Sequence, residues 1–206
     1  MAANYNNSAW FYDRLSQLVY GKALVNAQVY LLQLIPENSN ILIVGGGTGW
    51  ILDEIAKIHP SGLQITYVEV ALKMMALSKK RHIGNNQIVF VNKAIEDVQP
   101  LPDFDVVITP FLFDNFTEQM FKKIFGHIHS FLKPGCIWLN CDFQVKGKWW
   151  QSVLLKSMFL FFRIVCNVEA FKLPDIDQQF KQQGYKTIAS QTFFGEFIIA
   201  EVYKTR

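Results

Sequence analysis

Two features of the sequence could do chemistry together. One is a run of glycines, Gly45-Gly46-Gly47-Thr48-Gly49, and the other is a carboxylate, Glu69, about 20 residues further on. Glycine lets the chain turn sharply and lets a ligand approach the backbone where a Cβ would otherwise stand. A helix beginning just after the run would offer its first N–H groups, which have no intrahelical partners, to a polar or anionic ligand group. An acidic side chain at the end of the next strand can accept two hydrogen bonds from the ribose hydroxyls of a nucleoside.

Spacing separates the candidate ligands. A dinucleotide fingerprint reads G-x-G-x-x-G. Counted from Gly45, its third glycine would fall at Trp50, so this run reads G-x-G-x-G. The Gly-Lys-Ser/Thr ending of a phosphate-binding P-loop is also missing. A glycine run alone is equally compatible with a tight turn that binds nothing, and a lone Glu with a solvated strand end.

The elements that must position these residues alternate. Asn40 to Val44 is a short apolar run ending in the glycines, and Ile51 to His59 reads as a helix stopped by Pro60-Ser61-Gly62. Further strands are expected at Gln64 to Val70, Gln87 to Asn92, Asp105 to Thr109 and Cys136 to Asp142. Helices are expected at Leu72 to Arg81 and Thr117 to Leu132. Pro100-Leu101-Pro102-Asp103 introduces the fourth strand as a turn, and Lys133-Pro134-Gly135 closes the helix before the fifth. Strands that read as continuous apolar runs suit a parallel sheet covered on both faces, so the pattern implies a doubly wound α/β fold. Ahead of it, Trp10 to Ile35 reads as helical with a break at Gly21. Behind it come helices over Lys148 to Val165 and Leu173 to Gln183. Strands Tyr185 to Phe193 and Glu196 to Tyr203 then flank Phe194-Gly195 at hairpin spacing.

A chain of 206 residues fits one domain, and 50% apolar content with 18% charged residues argues against disorder. A formal charge of +3 gives no strong electrostatic grip on nucleic acid. Three cysteines make no disulfide framework. Cys136 and Cys141 are an odd number apart in one expected strand, so they point to opposite faces and cannot share a metal. The start, MAANYNNSAW, has no basic segment followed by an apolar run, and no stretch of about 18 uncharged apolar residues occurs. The expectation is a reduced, cytoplasmic protein with no membrane span and no metal site.

The motifs together resemble the class I S-adenosylmethionine-dependent methyltransferases. The residues that carry the resemblance are ILIVGGGTG at 41–49, ITYVEV at 65–70, FDVVITPFLFDNF at 104–116 and LKPGCIWLNCDF at 132–143, in the family's order and spacing. The opening stretch WFYDRLSQLVYGKAL resembles the N-terminal cap helices of the branch that methylates quinones, lipids and other small molecules. The resemblance implies a seven-stranded sheet, mostly parallel, with its last strand reversed. It implies a helical cap over 1–38, a cofactor-binding half over 39–143, and acceptor-side helices with the closing hairpin over 144–206. It also implies that the loop of Gly45, Gly46, Gly47 and Gly49 lines the methionine part of the cofactor. Glu69 would hold the ribose, Val70 would pack on the adenine and the Ala94 N–H would reach a ring nitrogen. Thr109 and Pro110 would lie beside the transferred methyl. The sequence departs from the family pattern at two positions: Ile43 and Lys93 stand where an acidic residue is common.

Methyl transfer from a sulfonium requires an in-line arrangement of nucleophile, methyl carbon and sulfur, and the exclusion of water. A general base is needed only for an acidic O–H, N–H or activated C–H. Ligands of open α/β sheets bind beyond the carboxyl ends of the strands, which selects Asp114, Asn115 and Asp142, with Tyr20 from the cap. Each has a plain structural alternative: a helix cap for Asp114, a solvated strand end for Asp142, a packed aromatic for Tyr20. Thr109-Pro110-Phe111-Leu112 does not match the Pro-Pro-aromatic motif of amino methyltransferases acting on adenine or glutamine. The segment KWWQSVLLKSMFLFFRIV is apolar over most of a helical circumference. That leaves it to pack on the domain, to meet a second copy in a homodimer, to wall a pocket for a lipophilic acceptor, or to touch a bilayer. With Phe111, Phe113 and Phe116 it favours a hydrophobic small-molecule acceptor. Two rivals stay open: a binding module of the same fold without catalysis, and a nicotinamide-dependent oxidoreductase.

Overall fold

The computed structural model describes residues 12–99 and 104–205. The expected helix start at Trp10 and the expected turn over 100–103 lie outside the described residues. Two helices come first, α1 (Tyr12–Tyr20) and α2 (Ala23–Leu32), parted at Gly21, whose φ of +57° a residue with a Cβ adopts only with strain.

Seven strands then form one sheet: β1 (Asn40–Val44), β2 (Ser61–Val68), β3 (Asn85–Val91), β4 (Phe104–Pro110), β5 (Leu132–Phe143), β6 (Lys186–Phe193) and β7 (Ile198–Lys204). Their order is β3-β2-β1-β4-β5-β7-β6. The pairs from β3 across to β5 are parallel, and β7 lies antiparallel to both β5 and β6. Five more helices cover it: α3 (Trp50–Ile58), α4 (Leu72–Ser78), α5 (Glu118–His129), α6 (Trp149–Cys166) and α7 (Ile176–Gln182).

The period of two in each strand divides the core. Ile41 and Ile43 point to one face, where Leu31, Leu32, Ile51 and Ile55 cover them. Leu42 and Val44 point to the other, against Phe121, Phe125 and Phe180. Cys141 belongs to the first face and Cys136 to the second, as their odd separation requires. Because the chain winds β1, β2, β3 outward and then returns to place β4 on the other side of β1, the strand order reverses between β1 and β4. The carboxyl ends of these two strands are the switch point at which open α/β sheets bind ligands.

Three boundaries differ from the sequence expectation for local reasons. Strand β2 begins at Ser61 rather than Gln64, because Gly62 at φ +92° absorbs a register shift against β3 instead of ending the helix. Strand β5 begins at Leu132. Helix α5 closes at His129, and Lys133-Pro134-Gly135 enters the strand through a second shift against β4. Helix α7 begins at Ile176, where the Asp175 carboxylate accepts the Gln178 N–H as its cap.

Candidate functional site

The glycine loop leaves β1 and enters α3, which starts at Gly49 (φ +79°) without a side-chain cap. Three side chains hold it. The Tyr67 hydroxyl donates to the Gly47 carbonyl at 3.0 Å. The Arg81 guanidinium donates to the Thr48 carbonyl at 3.0 Å and pairs with Asp53 at 3.1 Å. The third is Glu69, just past the end of β2: Oε2 accepts the Gly47 N–H at 3.0 Å and Oε1 accepts the Ala71 N–H at 2.7 Å. Behind it, Asn92 Nδ2 donates to the Glu69 and Val70 carbonyls. Burial pushes the Glu69 pKa up, and the N–H groups of Ala71, Gly47 and Val70 oppose that rise. Sterics require glycine at position 46, and a φ of +63° favours it at 47. A Cβ on Gly46 would come within 2.5 Å of the Tyr67 ring, whereas one on Gly47 would meet only Met74 Sδ at 3.8 Å.

Above this loop, at the carboxyl ends of the strands, lies a cavity of about 870 Å³, inside the ~300–1,000 Å³ range of small-molecule sites. Gly45, Gly46, Gly47, Glu69, Val70, Ala94 and Pro110 all line it. Its roof is apolar, made by α1 and α2 with Leu154, Met158, Phe161 and Phe162 of α6. Phe111 and Phe143 stand together in its wall, ring centroids 5.0 Å apart.

The acidic end lies between β4 and β5. Asp114 sits in the short turn Phe113–Asn115, 8% exposed and facing the cavity. Asn115 Nδ2 donates to Asp114 Oδ1 at 2.7 Å and to the Phe111 carbonyl at 3.0 Å. The Phe111 backbone is thereby held at φ +51°, a strained conformation for a bulky residue. Asp142 is fully buried, with Oδ2 accepting the Phe113 N–H at 3.1 Å and Oδ1 the Phe143 N–H at 2.8 Å. Burial pushes its pKa up to about 7, against the N–H groups of Phe143, Phe113 and Asp114. Asp114 is raised well above the usual carboxylate range, by burial first and by the Asp142 charge second. The Tyr20 hydroxyl donates to Met158 Sδ at 3.3 Å, and burial together with the Asp114 charge keeps it protonated.

Three expected contacts fall elsewhere. Asp142 does not line the cavity; it sits behind Phe113 and Phe143, where its charge adds to the burial that raises the Asp114 pKa. Thr109 is buried on the strand face opposite Pro110, its Oγ1 donating to Asn140 Oδ1 and accepting from Trp138 Nε1, both at 2.8 Å. Gly49 also lies off the cavity; a Cβ there would stand 2.5 Å from Ser78 Cβ, so it serves the close approach of α3 to α4. Ile43 is core. Sequence reasoning missed Tyr67, Arg81 and Asn92. Strand alternation carries a signal for Tyr67 alone, which shares a sheet face with Ile65.

Residues 41–135 match the family model described as a methyltransferase domain. The chain is similar to a malonyl-[acyl-carrier protein] O-methyltransferase 2 of Ilyobacter polytropus, 31% identical over 107 residues, which are 50% of this chain and 39% of that one. It is similar to a demethylmenaquinone methyltransferase of Porphyromonas gingivalis, 33% identical over 135 residues, 59% of this chain and 55% of that one. This chain thus spans about half or less of the length of either relative. In fold it is similar to the Burkholderia thailandensis 1,6-didemethyltoxoflavin-N1-methyltransferase, solved with bound 1,6-didemethyltoxoflavin and S-adenosylhomocysteine. The TM-score is 0.65 at 13% identity, covering 100% of this chain and 91% of that one.

Proposed function

We propose that this chain, whose residues 41–135 match the methyltransferase-domain model, transfers a methyl group from S-adenosylmethionine to a small hydrophobic acceptor. The observation that carries the reading is one cavity with two unlike ends: a glycine loop tied to a buried carboxylate, and an apolar chamber that encloses a second carboxylate.

The residues fit the cofactor. A Cβ on Gly47 would meet only Met74 Sδ at 3.8 Å, and Glu69 lines the cavity with acceptor capacity left, since its carboxylate has about four lone-pair sites and three N–H groups use them. Gly45, Gly46 and Gly47 would line the methionine part, Glu69 the ribose, Val70 the adenine face and the Ala94 N–H a ring nitrogen; Pro110 borders the transfer site. When bound, the cofactor supplies an electrophilic methyl on a positively charged sulfur.

The chain's own residues supply position, dryness and a proton site. Phe111, Phe143, Met158 and Phe162 exclude water from the acceptor end. Asp114 faces that end with its pKa raised well above the usual carboxylate range by burial, and in its ionised form it takes the proton of an acceptor O–H, N–H or activated C–H. Asp142 acts through Asp114 as a positioning residue, and Tyr20, wedged between Met158 and the aromatic cluster, closes the cap. In this reading residues 1–38 act as cap, 39–143 as the cofactor half and 144–206 as the acceptor side. The relatives that act on demethylmenaquinone and on a malonyl-acyl carrier support an apolar or acyl acceptor. Three buried free thiols support a reducing, cytoplasmic setting.

The test is transfer of label from methyl-tritiated S-adenosylmethionine to a panel of quinones, hydroxylated aromatics and acyl esters. Label appearing in an organic-extractable product supports the reading. Cofactor binding without transfer to any acceptor favours the module that binds and does not catalyse.

A further inference from the structure

Helix α6 has two working faces. Gln151, Met158, Phe159 and Cys166 are buried against the domain, and Leu154, Phe161 and Phe162 roof the cavity. The outer face is apolar: Trp149 is 79% exposed, Val153 59%, Leu160 61% and Ile164 73%. At 100° per residue these four fall within about 60° of the helix circumference. Lys156 and Arg163 lie along one edge of this stripe and Ser157 along the other. No carboxylate occurs anywhere in α6, and neither Lys156 nor Arg163 makes an ion pair among the described residues. Beside the stripe, a second groove of about 620 Å³ runs past Trp149, Val153, Ser157 and Phe194, and it shares Val19, Leu154 and Ser157 with the main cavity. Leu18 of α1, 83% exposed, extends the apolar surface.

We propose that this stripe lies on an anionic lipid surface, and that the seam between α1 and α6 is the route by which a lipophilic acceptor passes from the bilayer into the cavity. The inference rests on the reading of that cavity as an acceptor site. Charge complementarity selects the occupant: an apolar stripe edged by Lys156 and Arg163, on a helix without acids and with Glu196 beside it neutralised by Lys148, matches acyl chains beneath anionic headgroups, and Trp149 suits the boundary between them. A two-fold dimer through the same stripe would bring Lys156 and Arg163 of each copy toward a surface of the same charge. The helix is long enough to cross a bilayer, but its inner face is part of the domain's core and its outer face carries two charges, so it lies along the surface instead.

Flotation of the full chain with vesicles tests this. The chain should float with phosphatidylglycerol–phosphatidylcholine vesicles and should do so at least tenfold less with phosphatidylcholine alone. L160E/I164E should abolish flotation, and K156Q and R163Q should each weaken it about fivefold. Calorimetric binding of S-adenosylhomocysteine by L160E/I164E reports that the variant is folded. Flotation of L160E/I164E at the unmodified level, absence of flotation on anionic vesicles, or a lipid-free dimer that the same variant dissolves would each overturn the proposal while leaving the methyl-transfer reading intact. Flotation of a chain that binds no S-adenosylhomocysteine would uphold the lipid surface and overturn the methyl-transfer reading instead.

Discussion

The buried pair Asp114 and Asp142 makes stability depend on pH in a direction opposite to that of a salt-bridged carboxylate. Asp142 is pushed from 3.8 up to about 7, so the folded chain holds its proton over a pH range in which the unfolded chain has released it. Its contribution is fully present below about pH 4 and is lost as pH rises toward 7. A rise of this size corresponds to about 4 kcal/mol, at about 1.4 kcal/mol for each tenfold change in proton affinity. Because Asp142 is fully buried, solvent does not screen that figure. The perturbation is Asp142→Asn, which stays neutral throughout and relieves Asp114 of a neighbouring charge. The variant loses hydrogen bonds from the Phe113 and Phe143 N–H groups to a carboxylate, a cost that adds a nearly constant offset. Stability should be measured by urea unfolding of both proteins at half-unit steps from pH 4.5 to 7.5. The variant should gain on the unmodified protein by about 2–4 kcal/mol across that range. A difference that stays flat with pH would refute the claim that burial raises the Asp142 pKa.

Two substitutions test neighbouring parts of the account. Asp114→Asn should lower kcat by about 10²–10⁴-fold and remove the rise of rate with pH, while the Kd for S-adenosylhomocysteine stays unchanged; a retained pH profile in initial-rate assays would show that Asp114 is not the proton acceptor. Gly46→Ala should cost about 1–3 kcal/mol in thermal or urea unfolding, because its Cβ stands 2.5 Å from the Tyr67 ring and must displace it; an unaltered melt would contradict the close packing of the loop.

The sheet could be read from the chain because its information is local. Ile41 to Val44 is apolar throughout, Asn40 opens the run and the glycines close it, and the structure places β1 over Asn40–Val44. The doubly wound order follows from alternation, and the glycine loop and Glu69, which spacing singles out, meet in the Gly47–Glu69 hydrogen bond. What escaped is what depends on depth and on partners far along the chain. Asp142, at the end of the fifth expected strand, reads from the sequence as a site candidate, with a solvated strand end as its plain alternative. Strand β5 runs on to Phe143 and pairs with β7 over seven residues, which seals Asp142 inside. The family resemblance implies Thr109 beside the transferred methyl, yet the pleat turns it inward toward Trp138. Tyr67, Arg81 and Asn92 reach the loop or Glu69 from 20 to 33 residues away, with no motif to mark them. The apolar character of α6 was plain in the sequence, whereas its division into a cavity face and an exposed face required the fold.

The central claim is that the glycine loop and Glu69 together bind an adenosyl cofactor. Its most direct test is calorimetric titration of S-adenosylhomocysteine into the unmodified chain and into Glu69→Ala, with thermal melts to report the structural effect of the change. The account expects one site per chain, weakened about 10–150-fold by the substitution, the loss that follows from removing hydrogen bonds to a charged group. No heat of binding at millimolar ligand, or equal affinity in a folded variant, would contradict it.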